Sequence, residues 1–381
     1  MLTSKIPQAN PHAGYIAYKE EIDNAIARVL ASGRYILGQE VALFEKAFAK
    51  FIGVFYGIGV ASGTDALEVA LRAVGVGKGD LVFTVSHTAV ATIAAIERCS
   101  AVPVLIDVDD STYTIDTNDL DETIRGVFDG TFPIQGQPRA IVPVHLYGYP
   151  AEMDTIMDIS KKYNLVVIED CAQAHGARID GKNLGTVGHM ATFSFYPTKN
   201  LGAIGDGGMV VTNSENLNNT IRSLRQYGWM QRYISTTNGI NSRLDELQAA
   251  ILSVKLNYLD RDNQIRKGIA KRYDEILKET QIGFPEVAAH VEHIYHQYVI
   301  RSKERDSLIK HLECNHIGTA IHYPLPVHLQ PAYIHRLPLG LAELKKTEKL
   351  CNEIISLPMY SQMTVDEVDR VGNALISWGG R

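Results

Sequence analysis

Along the first two thirds of the chain, short apolar runs alternate with stretches whose apolar residues recur every three or four positions. Over residues 18–32, Ile22, Ile26, Val29 and Leu30 share one stripe, which predicts a helix; a second is predicted over residues 39–51, with Gly33 and Gly38 punctuating the link. From Tyr56 the pattern changes. Runs at residues 57–61, 81–85, 102–108, 140–146, 166–169, 190–195 and 208–212 predict strands, and the segments 66–74 and 89–99 predict helices between them. Alternation of this kind predicts an α/β fold with a mainly parallel seven-stranded sheet between helices. The proline-free segment 243–277 is helix-prone and leads out of the sheet. It divides the chain into a large domain over residues 1–258 and a smaller C-terminal α+β domain over 259–381. The smaller domain is predicted to hold a strand at 295–301 and helices at 304–314 and 365–378.

Composition narrows the class without naming a chemistry. The chain has 381 residues, 45% of them hydrophobic, and a formal charge of -6, with no block of Lys and Arg. Nucleic acid and anionic membranes are therefore not expected partners, and small molecules are. The N-terminal ten residues lack an apolar core for a signal peptide, and no run of eighteen apolar residues occurs, so a cytoplasmic location is expected. Four scattered cysteines (Cys99, Cys171, Cys314, Cys351) form no CxxC pair and suggest neither a metal site nor a disulfide frame.

Lys199 changes the picture. It lies in Thr192-Phe-Ser-Phe-Tyr-Pro-Thr-Lys-Asn-Leu-Gly, where an apolar strand runs into a turn and then into Gly202, Gly205, Gly207 and Gly208. Upstream, Val166-Val-Ile-Glu-Asp brings Asp170 to the carboxyl end of a strand, the usual ligand side of an open α/β sheet. An amine, an acid and a hydroxyl so delivered are what pyridoxal phosphate chemistry needs. Lys199 can form a Schiff base with the aldehyde, Asp170 can keep the pyridine nitrogen protonated, and Ser194 can hold the phosphate. Gln173, three residues beyond Asp170, could donate to the ring's 3-oxygen. Ala61-Ser-Gly-Thr-Asp follows a strand and opens a helix, so the backbone N–H groups at Gly63 and Thr64 favour a phosphate; equally, Thr64 or Asp65 could simply cap that helix.

Taken together, these strings resemble the sugar aminotransferases of the DegT/DnrJ/StrS family, within the fold type I pyridoxal phosphate enzymes. The resemblance rests on Tyr35-Ile-Leu-Gly, Ser62-Gly-Thr-Asp-Ala-Leu, Glu169-Asp-Cys-Ala-Gln-Ala-His-Gly-Ala, Ser194-Phe-Tyr-Pro-Thr-Lys-Asn-Leu, Gly205-Asp-Gly-Gly, Gly239-Ile-Asn-Ser-Arg-Leu-Asp-Glu-Leu-Gln-Ala-Ala and His322-Tyr-Pro-Leu-Pro-Val-His. It implies that Lys199 and Asp170 are catalytic and that Gly63, Thr64, Gln173 and Ser194 complete the cofactor site. Asn241 would reach the phosphate of a neighbouring subunit, which implies a homodimer with shared sites. Where the family usually stacks an aromatic ring on the cofactor this chain has Ala89, and His87 is the candidate to fill that place. Tyr233, His322, Tyr323 and His328 would meet the substrate, expected to be a nucleotide-linked keto sugar aminated at the 3-position in preference to the 4-position, with L-glutamate as donor. Relatives that dehydrate sugars carry histidine in place of Lys199, so the lysine favours transamination over a dehydratase. The intact Lys199, Asp170 and Ser194 set argues against a non-catalytic regulatory protein of the same fold.

Overall fold

The computed structural model describes residues 4–379; residues 1–3, part of the stretch read above as lacking a leader, lie outside the described residues. Seven strands form the central sheet: β1 (Tyr56–Val60), β2 (Asp80–Val85), β3 (Val102–Ile106), β4 (Gln137–Ile141), β5 (Val166–Asp170), β6 (Met190–Ser194) and β7 (Gly208–Thr212). Their order is β1-β7-β6-β5-β4-β2-β3. Only β7 runs against the rest, pairing antiparallel with β1 on one side and β6 on the other. Alternate residues feed two cores because successive side chains point to opposite faces. Phe83 and Phe193 join one core with Phe44 and Phe48, whereas Val82, Met190 and Val210 join the other with Leu67 and Leu71. With both faces covered, β7 is buried at all five positions.

Helices α1 (Pro11–Ala17), α2 (Lys19–Ser32) and α3 (Gln39–Ile52) precede the sheet, and α4 (Gly63–Ala73) and α5 (Val90–Arg98) link its first strands. Helices α6 (Thr117–Asp129), α7 (Met153–Tyr163) and α8 (Glu215–Leu224) were not anticipated individually. The helix-prone segment is two helices, α9 (Glu246–Leu256) and α10 (Leu259–Leu277), separated at Asn257–Tyr258. Beyond α10, β8 (Tyr298–Arg301) pairs antiparallel with β9 (Ile354–Leu357), flanked by α11 (Arg305–Cys314), α12 (Lys345–Glu353) and α13 (Val365–Ser377). Apart from α12, whose Leu350 joins the core with Phe83 and Phe193, these elements surround a separate core that includes Tyr273, Tyr298, Leu308 and Val371, to which Ile6 from the amino-terminal stretch also contributes.

One expected strand is shorter than its apolar run. Residues 140–146 read as continuous β structure, but β4 ends at Ile141, and Leu146–Gly148 forms a tight 3-10 turn with Tyr147 at φ +60°. Pro143, with no N–H to donate, interrupts the ladder there, and the backbone turns toward the site.

Candidate active site

The carboxyl ends of β5 and β6, the amino end of α4 and the loop 321–328 converge on Lys199. On β5, neighbouring acids serve opposite faces. Glu169 is fully buried and accepts hydrogen bonds from the Gly185, Val187 and Gly188 N–H groups at 2.9, 3.0 and 2.7 Å and from His145 Nε2 at 3.1 Å. Burial would raise its pKa, but His145 and these backbone donors outweigh it, so the carboxyl titrates below its usual value. His145 Nδ1 accepts from the Ala151 N–H at 3.0 Å, which fixes the tautomer that donates to Glu169. His145, Glu169 and buried Cys171 offer ligand atoms within 4.8 Å of one another. With the histidine nitrogens and both carboxylate oxygens already engaged, the trio is a structural tie and not a metal site.

Asp170 faces the other way. Its carboxylate accepts from the Ala172 N–H at 3.1 Å and from the Thr92 hydroxyl of α5 at 3.0 Å. Burial raises its pKa, while these two donors and the Lys199 charge oppose the rise. Lys199 responds in the opposite sense: burial pushes its amine down to about 8, and Asp170 pulls it back up. Such an amine has a substantial neutral fraction near neutrality, the form that attacks an aldehyde.

The phosphate cradle follows from close packing. Ser62, and not Thr64 or Asp65, caps α4 by accepting from the Asp65 N–H at 3.1 Å. The Thr64 hydroxyl is left without a partner among the described residues. A Cβ on Gly63 would stand 2.6 Å from Ser194 Cβ, and one on Gly208 would stand 2.2 Å from the Ser62 carbonyl oxygen. Only glycines let the helix amino end, β6 and β7 meet there. The result is a helix N-terminus with hydroxyls from Thr64 and Ser194 beside it, an arrangement that fits a phosphate monoester. Together with an acid for a ring nitrogen and a lysine of lowered pKa, the residues fit pyridoxal phosphate.

Around this centre the structure sorts the remaining candidates. Gln173 is held by the Tyr147 N–H, which donates to its Oε1 at 2.7 Å, and its Nε2 donates to the Tyr323 hydroxyl at 3.1 Å. Tyr147 donates its own hydroxyl to the His322 carbonyl and accepts from His87 Nε2 at 2.9 Å. His322 bonds Ser356 through Nδ1 at 2.8 Å, and burial together with the Lys199 charge lowers its pKa to about 4. Tyr323 and His322 thus stand beside Lys199 and Asp170. His87 does not take the stacking place. Its ring is fully buried, with Nε2 on Tyr147 and Nδ1 3.5 Å from Cys351 Sγ. His328 is likewise spent on the fold, bonded by Ser86 Oγ at Nδ1 (2.8 Å) and to Glu348 at Nε2 (3.1 Å).

Tyr233 and Asn241 are exposed. Tyr233 sits at φ +70° on a hairpin with Met230 and Ile234, and it lines a separate cavity of about 710 Å³ with Arg34 and Arg243. Sequence reasoning missed Thr92 and Tyr147. Thr92 lay within reach, since it stands three residues beyond Ala89, where the resemblance led one to expect a ring against the cofactor. Tyr147 carried no such signal, because its role depends on a left-handed backbone that tyrosine rarely adopts.

Comparison with known proteins agrees with this geometry. The model of the DegT/DnrJ/EryC1/StrS aminotransferase family matches residues 17–376. A dTDP-3-amino-3,6-dideoxy-alpha-D-galactopyranose transaminase of Aneurinibacillus thermoaerophilus is 46% identical over 362 residues, covering 95% of this chain and 96% of its own. A dTDP-3-amino-3,4,6-trideoxy-alpha-D-glucose transaminase of Streptomyces venezuelae is 40% identical over 380 residues, covering 100% and 97%. Among solved structures, S. venezuelae DesV in complex with a ketimine intermediate superposes with a TM-score of 0.93 at 40% identity, covering both chains fully (100% and 100%). Bacillus subtilis NtdA with bound cofactor PMP superposes with a TM-score of 0.88 at 31% identity, covering 98% of this chain and 85% of its own.

Proposed function

The chain belongs to the DegT/DnrJ/EryC1/StrS aminotransferase family and is a pyridoxal phosphate-dependent aminotransferase, and on that premise we propose that it carries an amino group from L-glutamate to the 3-keto carbon of a nucleotide-linked deoxy sugar. The observation that carries the reading is the meeting of Lys199, Asp170 and the Gly63–Ser194 cradle in a chain 40% and 46% identical to two 3-amino sugar transaminases.

Pyridoxal phosphate, when bound, supplies an electrophilic aldehyde and an electron-accepting ring. The chain supplies the rest. Gly63, Thr64 and Ser194 hold the phosphate, and Asp170, kept in place by Thr92 and Ala172, retains a proton on the ring nitrogen. Lys199 would hold the aldehyde, and its amine, neutral in part because burial lowers its pKa to about 8, would carry the donor's α proton. Gln173, oriented by Tyr147, would present its amide to the ring's 3-oxygen, and His322 and Tyr323 would meet the sugar. The dimer expected from Asn241 accounts for the exposed hairpin: Met230, Tyr233 and Ile234 are 76%, 72% and 54% exposed. A partner covering that hairpin would bring Tyr233 and Asn241 to the neighbouring site. No helix among the described residues is long and apolar enough to cross a membrane. Four free cysteines suit a reducing cytoplasm as the place of action.

The test is spectroscopic. L-Glutamate should discharge the visible absorbance of the cofactor-loaded protein, and a nucleotide-linked 3-keto sugar should restore it. Restoration by 4-keto sugars alone refutes the ring position, and no discharge by glutamate refutes the donor.

A further inference from the structure

A cavity of about 50 Å³ to which no role has yet been given is walled by Lys199, Lys255, Asp262, Arg266, Asn10 and Gln362. Its charge is unbalanced. Arg266 is only 6% exposed, and its Nη1 donates to the carbonyls of Tyr295, His296 and Met359 at 3.2, 3.4 and 3.0 Å. Among the described residues its Nε and Nη2 have no hydrogen-bond partner and no carboxylate pairs with it. Lys255 is half-buried, with Nζ on the Gly202 carbonyl at 2.6 Å and likewise no carboxylate within pairing distance. Asp262 is the one acid on these walls. Both its oxygens accept from the Tyr18 hydroxyl, at 2.7 and 2.8 Å, and the exposed Arg261 lies 3.7 Å from it.

The buried Arg266 and the half-buried Lys255 thus share a single, already engaged carboxylate, beside a lysine whose own charge is answered by Asp170. Removing cations from water without a counter-charge is costly, and burial pulls Lys255 down to about 8 and Arg266 to about 10 accordingly. A bound anion would relieve the imbalance. The space holds a few heavy atoms, on the order of three water molecules, which admits a carboxylate head and not a diphosphate or a sugar ring. The cofactor's phosphate has its own place, since neither Gly63 nor Ser194 lines this cavity.

We propose that this cavity is the seat of a carboxylate of the amino donor, and of the 2-oxo acid formed from it, gripped by Lys255 and Arg266 beside Lys199. The inference deepens the function proposed above and rests on it for the donor's identity. A donor anchored there has its amine delivered to the one lysine it must displace, while a neutral amine of the same size lacks the anchor.

Glutarate, a five-carbon diacid that cannot react, is the probe. Its affinity for the cofactor-loaded protein is measured by titration calorimetry, with the neutral diamide glutaramide as control. Wild-type protein should bind glutarate and ignore glutaramide. Lys255→Met should weaken glutarate roughly tenfold or more, the loss expected for one hydrogen bond to a charged group, and Lys255→Arg should recover most of it. Gln362→Glu, which leaves the Gly202 tie intact and adds a negative charge to the wall, should also weaken the diacid. Equal affinities in Lys255→Met and Gln362→Glu, or glutaramide binding as well as glutarate, overturn the proposal. If glutarate binds as expected while L-glutamate fails to discharge the cofactor absorbance, the carboxylate seat stands and the donor assignment falls. If glutamate discharges it while both variants bind glutarate as wild type does, the reverse holds.

Discussion

Replacing Gly63 with alanine tests the phosphate cradle with one added methyl group. The new Cβ would lie 2.6 Å from Ser194 Cβ, 3.1 Å from its Oγ and 3.2 Å from its Cα. Carbon atoms rest about 3.5–4.0 Å apart, so the contact is short by roughly 1 Å. A Ser194 rotamer change cannot relieve it, because Cβ and Cα do not move on rotation; β6 or the start of α4 must shift. Overpacking of this kind costs about 1–3 kcal/mol, partly offset by up to about 1 kcal/mol from alanine's better helix propensity. The larger effect falls on the ligand. A shift of that size takes the Ser194 hydroxyl out of hydrogen-bond range of a phosphate, a loss of about 1.5–3 kcal/mol, or about 10- to 150-fold in Kd. Fluorescence titration of the apoprotein with pyridoxal phosphate measures that Kd, and urea unfolding measures the stability. Gly77→Ala is the control, since a Cβ there meets nothing within 4 Å. Cofactor affinity in Gly63→Ala within about twofold of wild type would refute the cradle.

Other outcomes follow from the same geometry. The lowered pKa of Lys199 makes recapture of the cofactor by apoprotein speed up as pH rises through about 8, where the amine loses its proton; stopped-flow absorbance should show that inflection, and one near the ordinary lysine value of 10.5 would contradict the burial argument. Tyr147→Phe deletes the hydroxyl shared by His87 and the His322 carbonyl and should cost about 1–3 kcal/mol of stability by urea unfolding, leaving Gln173 on the main-chain N–H. Asp170→Asn should retain the cofactor yet slow turnover at least about a hundredfold, as loss of a preorganised charge does. Mixing subunits of Lys199→Ala with subunits of an inactive Asn241 variant should restore part of the activity in hybrid dimers, and no recovery would speak against sites shared between subunits.

Much of this architecture was legible because its signals are local. β1 to β7 announce themselves as apolar runs bounded by glycine and polar turns, and Lys199 and Asp170 follow strands whose ends are the ligand side of such a sheet. What escaped depends on direction and partnership. The run at 140–146 looks like one strand, yet Pro143 and the left-handed Tyr147 turn its end into a buttress for Gln173. His87 and His328 carry the right chemistry at the right place in the chain, but hydrogen bonds to Tyr147, Ser86 and Glu348 consume their nitrogens. Arg266 and Lys255 sit on helices whose periodicity gives no hint that the two cations line one cavity with a single carboxylate.

The antiparallel strand β7 has a bearing on how the protein matures. Gly208 on that strand closes against Ser62, while Gly63 abuts Ser194 at the end of β6, so the phosphate cradle is assembled from segments far apart in the chain. A growing polypeptide cannot retain the cofactor when Gly63 emerges, nor when Lys199 does, but only after β7 has slipped between β1 and β6 to join β1 to the rest of the sheet. Because such long-range closure is a late and slow event, cofactor uptake should mark the completion of the large sheet and lag behind the formation of its parallel strands.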